Sequence, residues 1–213
     1  MKVKTKKSSM NLWIAIMVSV TVIVLTSFAA AAQSLTGIEL TIFRSINNWP
    51  ESLRLLFFAI TQLGSAWVLY AITLTALWKR RYRLSLRLFF TGAVAFIMCE
   101  LLKQSIGRPR PEAILGSINL RDSIVVGNGF PSGHTAVATA LAFVLWPLLP
   151  SRWRWLAPVL VMLVGLSRVY LGVHAPLDIV GGIAVGVLVV SASKLITGKL
   201  RFVTKITGMK LRA

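Results

Sequence analysis

The stretch Gly129–Trp146, GFPSGHTAVATALAFVLW, decides the fold. From Ala136 onward it is apolar and rich in small residues, as a membrane helix is, yet it opens on Pro131-Ser132-Gly133-His134. A proline, a hydroxyl, a glycine and an imidazole at the mouth of a hydrophobic run mark a helix start with a second duty. The chain holds only 2 histidines. The other, His174, stands at a similar mouth further on, in SRVYLGVHAPLD.

Working outward, similar apolar runs recur along the whole chain. Of its 213 residues, 56% are hydrophobic and only 14% charged, against about 25% charged in a soluble domain. A spanning helix takes about 20 apolar residues, and six stretches approach that length: 11–32, 54–78, 86–105, 134–150, 156–173 and 177–197. The expectation is an all-α, polytopic membrane protein, six transmembrane helices in one bundle, forming a single domain over residues 1–213. The first stretch resembles a secretory signal, but its apolar core is longer than an h-region, which favours an uncleaved anchor.

The net charge of +18 raises the question of nucleic acid, and its distribution answers against it. Lys2, Lys4, Lys6 and Lys7 precede the first run; Lys79, Arg80, Arg81, Arg83 and Arg87 separate the second from the third. Arg152 and Arg154 lie between the fourth and fifth, and Lys194, Lys199, Arg201, Lys205, Lys210 and Arg212 close the chain. If the runs alternate in direction, all of these share one side, which the positive-inside rule makes the cytoplasm. Both termini are then cytoplasmic, and contact with anionic lipid headgroups follows. Neither nucleic acid nor a protein partner is expected. The lone Cys99 lies within a run and reads as a packing residue.

Some cations break that pattern. Arg44, Arg54, Lys103, Arg108, Arg110, Arg121 and Arg168 fall in, or beside, the segments expected outside, about 33–53, 104–133 and 174–176. Arg168 is the sharpest case, because it sits inside the fifth run, where an ionisable group is costly and marks function unless it snorkels to the interface. Both histidines and Asp178 gather on the same outer side. Arg108, Glu112 and Arg121 read more simply as trimming the outer loop, with contact to substrate the alternative for Arg108. Gly182 and Gly186 read as a small-residue packing stripe, and Trp13, Trp78 and Trp153 as interfacial anchors.

Cations converging on a helix start describe an anion site. Ser132 and Gly133 open the fourth run, where free N–H groups and the helix dipole attract phosphate, although taken alone they read more simply as an ordinary helix cap. Lys103, Arg110 and Arg168 suit a phosphoryl group in transfer. His174 and Asp178 are four apart, so they share a face if a helix begins there. Pro176 suits its first turn, with His174 then just before it. A carboxylate on one ring nitrogen aims the other, which makes His174 the nucleophile and leaves His134 as general acid.

These stretches resemble the type 2 phosphatidic acid phosphatase superfamily, whose signature is K-x6-R-P, P-S-G-H and S-R-x5-H-x3-D. The matching positions are Lys103 with Arg110-Pro111, Pro131 to His134, and Ser167-Arg168 with His174 and Asp178, in segments 103–111, 131–134 and 167–178. The resemblance implies a phosphatase that needs no metal or other cofactor and acts on a membrane lipid phosphate. The candidates are phosphatidylglycerol phosphate, phosphatidic acid, undecaprenyl diphosphate or a lipid A phosphate. It implies His174 as nucleophile, Asp178 as its partner and His134 as proton donor, with phosphate held by Lys103, Arg110, Ser132, Gly133 and Arg168. The expected setting is the outer face of the inner membrane. A lipid phosphotransferase using the same histidine fits the same motifs. A transporter with an Arg/His/Asp relay is a more distant reading, and the related vanadium haloperoxidases are soluble.

Overall fold

The computed structural model describes residues 2–35, 37–122 and 127–207, with side chains from Ser9 to Gly198. The described residues are helical or irregular, without strands. The helices are α1 (Lys2–Ala30), α2 (Gly37–Asn47), α3 (Arg54–Thr61), α4 (Ala66–Trp78), α5 (Tyr82–Ile106), α6 (Pro111–Leu115), α7 (Gly133–Leu145), α8 (Leu156–Tyr170) and α9 (Pro176–Thr207).

The helix opened by Pro131-Ser132-Gly133-His134 lies at the centre. α7 packs against α5, α8 and α9, while α1 lies along the far side of α9. Its sequence explains that position. Ala136, Ala138 and Ala140 alternate with Val137, Thr139 and Leu141, all buried, and a helix that is apolar all round belongs inside a bundle. Small residues let the backbones close up. A Cβ at Gly182 would lie 2.5 Å from the Ser132 carbonyl oxygen, and one at Gly186 would meet Thr139 and the Ala136 carbonyl. The expected packing stripe therefore joins α9 to α7. Large apolar side chains face outward elsewhere: Trp67 is 80% exposed and Trp78 82%. For a soluble protein such a surface is untenable; for a membrane protein it is the lipid face.

Each of the six apolar stretches is largely helical, but the helices differ in reach. Ser9–Ala30, the helix beginning at Tyr82, and Pro176–Gly198 are long and apolar enough to cross a membrane. The stretch 54–78 is broken: α3 passes through a one-turn 3-10 segment, Gln62–Gly64, and bends by 53° into α4, a fourth candidate if the bent pair counts as one span. α7 and α8 hold 13 and 15 residues, about 20 Å at 1.5 Å per residue, against a hydrocarbon layer of about 30 Å. The stretches drawn as 134–150 and 156–173 are thus shorter as helices. The first gives way at Trp146–Leu148, where Pro147 cannot continue the ladder. The second ends at Tyr170, before Gly172 at φ +79°.

The segment 33–53 also differs from a plain loop. In α2, Glu39, Phe43 and Asn47 recur at i, i+4 and i+8, so one face carries all three inward; Phe43 and Asn47 are buried.

Candidate active site

Three short devices bring the motif residues to one end of the bundle. The first ends α5. Gly107, left-handed at φ +67°, returns its N–H to the Lys103 carbonyl at 3.0 Å and turns the chain into Arg108-Pro109-Arg110. Arg110 then stretches between two carbonyls, Gly127 at 2.8 Å from Nε and Val173 at 2.8 Å from Nη1. Lys103 lies on the last turn, its ammonium 2.7 Å from Glu100 one turn earlier.

The second device opens α7. Ser132 is its N-cap: Oγ accepts from the Thr135 N–H at 3.4 Å and from the Thr135 hydroxyl at 3.0 Å. Its own hydroxyl hydrogen is used by neither bond. The Ser132 N–H donates to the Asp178 carbonyl at 2.9 Å, tying this helix start to that of α9. A Cβ at Gly133 would touch only the Phe96 ring, at 3.7 Å. Gly64, from the α3–α4 break, packs so closely on the His134 backbone that any side chain there would collide with it.

The third device explains the spacing of S-R-x5-H-x3-D. α8 ends, the chain reverses through Gly172, and the carbonyl of Arg168 accepts the N–H of both Val173 (3.2 Å) and His174 (3.3 Å). Five intervening residues are what that reversal takes. α9 then starts on Pro176, with Asp178 in the first turn reaching back to the Ala175 N–H at 2.8 Å, the carboxylate half of a capping box. The same oxygen, Oδ2, lies 3.3 Å from His174 Nδ1. Asp178 therefore starts the helix and orients the imidazole in one conformation. His174 precedes the helix, as the position of Pro176 predicts.

The polar interior is dense. His174 is 2% exposed, Asp178 is fully buried and Arg168 is 5% exposed. Arg168 Nη1 donates to Thr61 Oγ1 at 3.1 Å and to Asp122 Oδ2 at 3.2 Å, while its Nε is buried without a hydrogen-bond partner. Burial first, then the positive fields of Arg168, Arg110 and Lys103, holds the His174 imidazole well below its usual 6.5. It is neutral, the form a nucleophile requires. His134 lies in the fields of the same three cations and of His174. Among the described residues, no three His, Cys, Asp or Glu side chains converge as metal ligands.

Two residues read as loop trimming are core components. Arg108 is 1% exposed and ion-paired to both Glu39 and Asp178. Arg121, also buried, donates to the carbonyls of Asn47, Trp49 and Tyr170 and to Glu51 Oε2 at 2.7 Å, with Tyr170 beneath its guanidinium. Glu112 is exposed. Thr61, Gly64 and Asp122 join the site from segments that carry no motif.

Comparison with known proteins gives the family. The PAP2 superfamily model matches residues 84–202, more than half of the chain. The bacitracin transport permease protein BcrC of Bacillus licheniformis is 29% identical over 161 residues, 73% of this chain and 79% of that protein. An undecaprenyl-diphosphatase of Sulfolobus acidocaldarius is 28% identical over 153 residues, 70% of this chain and 74% of that one. The crystal structure of a PAP2 type phosphatidylglycerolphosphate phosphatase from Bacillus subtilis superposes with a TM-score of 0.64 at 25% identity, covering 85% of this chain and 96% of that chain. With its three motifs closing on one buried histidine and its lipid-facing helices, this chain belongs to the PAP2 superfamily as a membrane-bound phosphoric ester hydrolase.

Proposed function

We propose that the protein hydrolyses the phosphomonoester or diphosphate of a membrane lipid through a phosphohistidine on His174. The observation that carries this is the contact of Asp178 Oδ2 with His174 Nδ1 at 3.3 Å, which leaves Nε2 as the attacking atom of a neutral ring. Lys103, Arg110, Arg168 and the Ser132-Gly133 helix start hold the phosphoryl oxygens. Nε2 forms a bond to phosphorus as the bond to the leaving oxygen breaks, and His134, protonated once the bound phosphoryl anion offsets the surrounding cations, gives that oxygen a proton. A water molecule then attacks phosphorus and the N–P bond breaks. His134 takes the proton of the water, and inorganic phosphate departs.

The whole chain forms one domain of six spans. α7 and α8 are short because the site is sunk below the bilayer surface, where irregular backbone persists only when buried in protein. The basic ends of the helices lie in the cytoplasm and the site opens outward. Phosphatidylglycerol phosphate, phosphatidic acid, undecaprenyl diphosphate and a lipid A phosphate all present the chemistry the site fits, and the lipid tail lies between helices. A transporter with an Arg/His/Asp relay fits the geometry less well. The buried ionisable side chains Arg108, Arg121, Arg168, His174 and Asp178 gather at one end of the bundle instead of lining a path through it.

The test is phosphate release by detergent-purified protein in excess EDTA from each of these lipids, beside His174→Ala. The variant should lose turnover while still binding vanadate. Acid quenching with radiolabelled substrate should trap phosphate on wild-type protein alone. Turnover close to wild type in His174→Ala would remove the nucleophile assignment.

A further inference from the structure

Arg108 is the largest fully buried side chain among the described residues, yet it is absent from the set proposed to touch phosphate. Its Nη1 donates to Asp178 Oδ1 at 2.9 Å and to Glu39 Oε1 at 3.1 Å; Nη2 donates to Glu39 Oε2 at 2.7 Å and to the Ser34 carbonyl at 2.9 Å. Glu39 Oε1 also accepts the Leu177 N–H at 3.0 Å. The Arg108 carbonyl accepts the Gly129 N–H at 2.8 Å, and a Cβ at Gly129 would stand 3.1 Å from Asp178 Oδ2. The two Asp178 oxygens are thereby divided, Oδ1 to Arg108 and Oδ2 to His174 and Ala175. Stability is a weak reason for such a row, because a buried ion triad is often replaced by apolar residues at no loss.

Charge supplies a better reason. Glu39, Arg108 and Asp178 alternate in sign and sum to one negative charge beside a neutral His174. When Nε2 is phosphorylated the imidazole becomes cationic, and the row is then balanced. An environment matched to the charged ring, more than to the neutral one, lowers the barrier to forming it.

We infer that Arg108 and Glu39 are positioning residues for the nucleophile: Arg108 fixes the Asp178 carboxylate that aims His174, and Glu39 fixes Arg108. This rests on His174 being the nucleophile. The other groups facing the ring are Arg168 from α8, Lys103 from the last turn of α5, Arg110 from the turn before α6, and His134 from α7. Asp122 acts on it through Arg168.

Full-length Arg108→Gln, Arg108→Lys, Glu39→Gln and His174→Ala are purified in detergent and assayed on a short-chain phosphatidate. The readouts are kcat, KM, the pH dependence of kcat/KM, vanadate affinity and melting temperature. Arg108→Gln should lower kcat roughly 100-fold with KM and vanadate affinity within about threefold. It should also raise the acid limb of kcat/KM by about 1 pH unit, because the unbalanced Asp178 charge favours protonation of His174. Arg108→Lys keeps the charge and loses the fork, so kcat falls with the limb in place. Glu39→Gln removes the opposite charge and should not raise the limb. A purely structural role would shift both charge-removing variants alike, with the melting temperature.

An unmoved limb in Arg108→Gln, a raised limb in Glu39→Gln, or wild-type kcat in Arg108→Gln overturns the inference. If Arg108→Gln does not fold, the Lys and Glu39 variants decide: kcat lowered in both without a raised limb supports it, and wild-type kcat in both overturns it. Turnover in His174→Ala would instead mean that the nucleophile reading itself has failed, whatever Arg108 does.

Discussion

His174 carries the proton logic of the whole site. Its folded-state affinity for a proton lies well below the usual 6.5, whereas in the unfolded chain it is ordinary. Above that value both states are neutral and the histidine contributes nothing to the pH dependence of stability. Below it the unfolded chain binds a proton that the folded chain refuses, so stability falls as the pH drops. Melting temperature in detergent should therefore decline below about pH 6.5 in the wild type, and less steeply in His174→Ala; parallel curves would sever the link. Asp122 bears on substrate in a different way, since its carboxylate sits 3.2 Å from the Arg168 guanidinium offered to phosphate. Protein carboxylate and phosphoryl group compete for one cation. Asp122→Asn should tighten vanadate binding by about tenfold, and an unchanged or weaker affinity would show that the two do not compete. The His174–Asp178 pair was legible in the sequence because a four-residue spacing carries geometry. Arg108 was not, because as a residue it is indistinguishable from its neighbour Arg110; only the fold sends one guanidinium to Asp178 and the other across to Val173.

Among the elements, α7 and α9 share the most delicate junction. Gly182 sits beneath the Ser132 carbonyl and Gly186 beneath Thr139, so α9 is seated on the turn that opens α7. Gly182→Val should push the Ser132 turn away from Asp178 and cost activity together with about 1–3 kcal/mol of stability from overpacking. Gly198→Val, at a position with open space around it on the same helix, should leave activity near wild type. Equal losses in the two would point to helix propensity alone. The apolar runs announced the helices well, because their periodicity and length are properties of the chain. Their ends were less visible. The stretch 54–78 contains no proline; its 53° bend falls at Gly64-Ser65, where extended Ser65 caps α4 through the Val68 N–H and Gly64 lies against the His134 backbone, a contact that is tertiary. The inward face of α2 was hidden for another reason: two of its three residues, Glu39 and Asn47, are polar, and a hydrophobic pattern does not detect a helix that buries hydrogen bonds.

For the molecule as a whole, the orientation proposed from the separation of charge can be read by labelling. Cys99, the only cysteine, is fully buried, so the native chain offers a quiet background for thiol labelling. In intact cells a membrane-impermeant maleimide should label Ser117→Cys, in the exposed loop beside the site, and should reach Ser151→Cys only after permeabilisation. The reverse result would turn the protein over in its membrane. A second property of the whole follows from the clamp made by Arg121. With Arg108 and Arg168, this residue ties the motif-bearing part of the chain to Glu51, Glu39 and Thr61, all upstream of residue 84, where the family match begins. Every motif lies in the downstream part, but Glu39, which holds Arg108 against Asp178, and Thr61, which meets Arg168, lie in the other. A gene cut between α4 and α5 should yield two inert fragments that recover catalysis only when produced together, each completing the other.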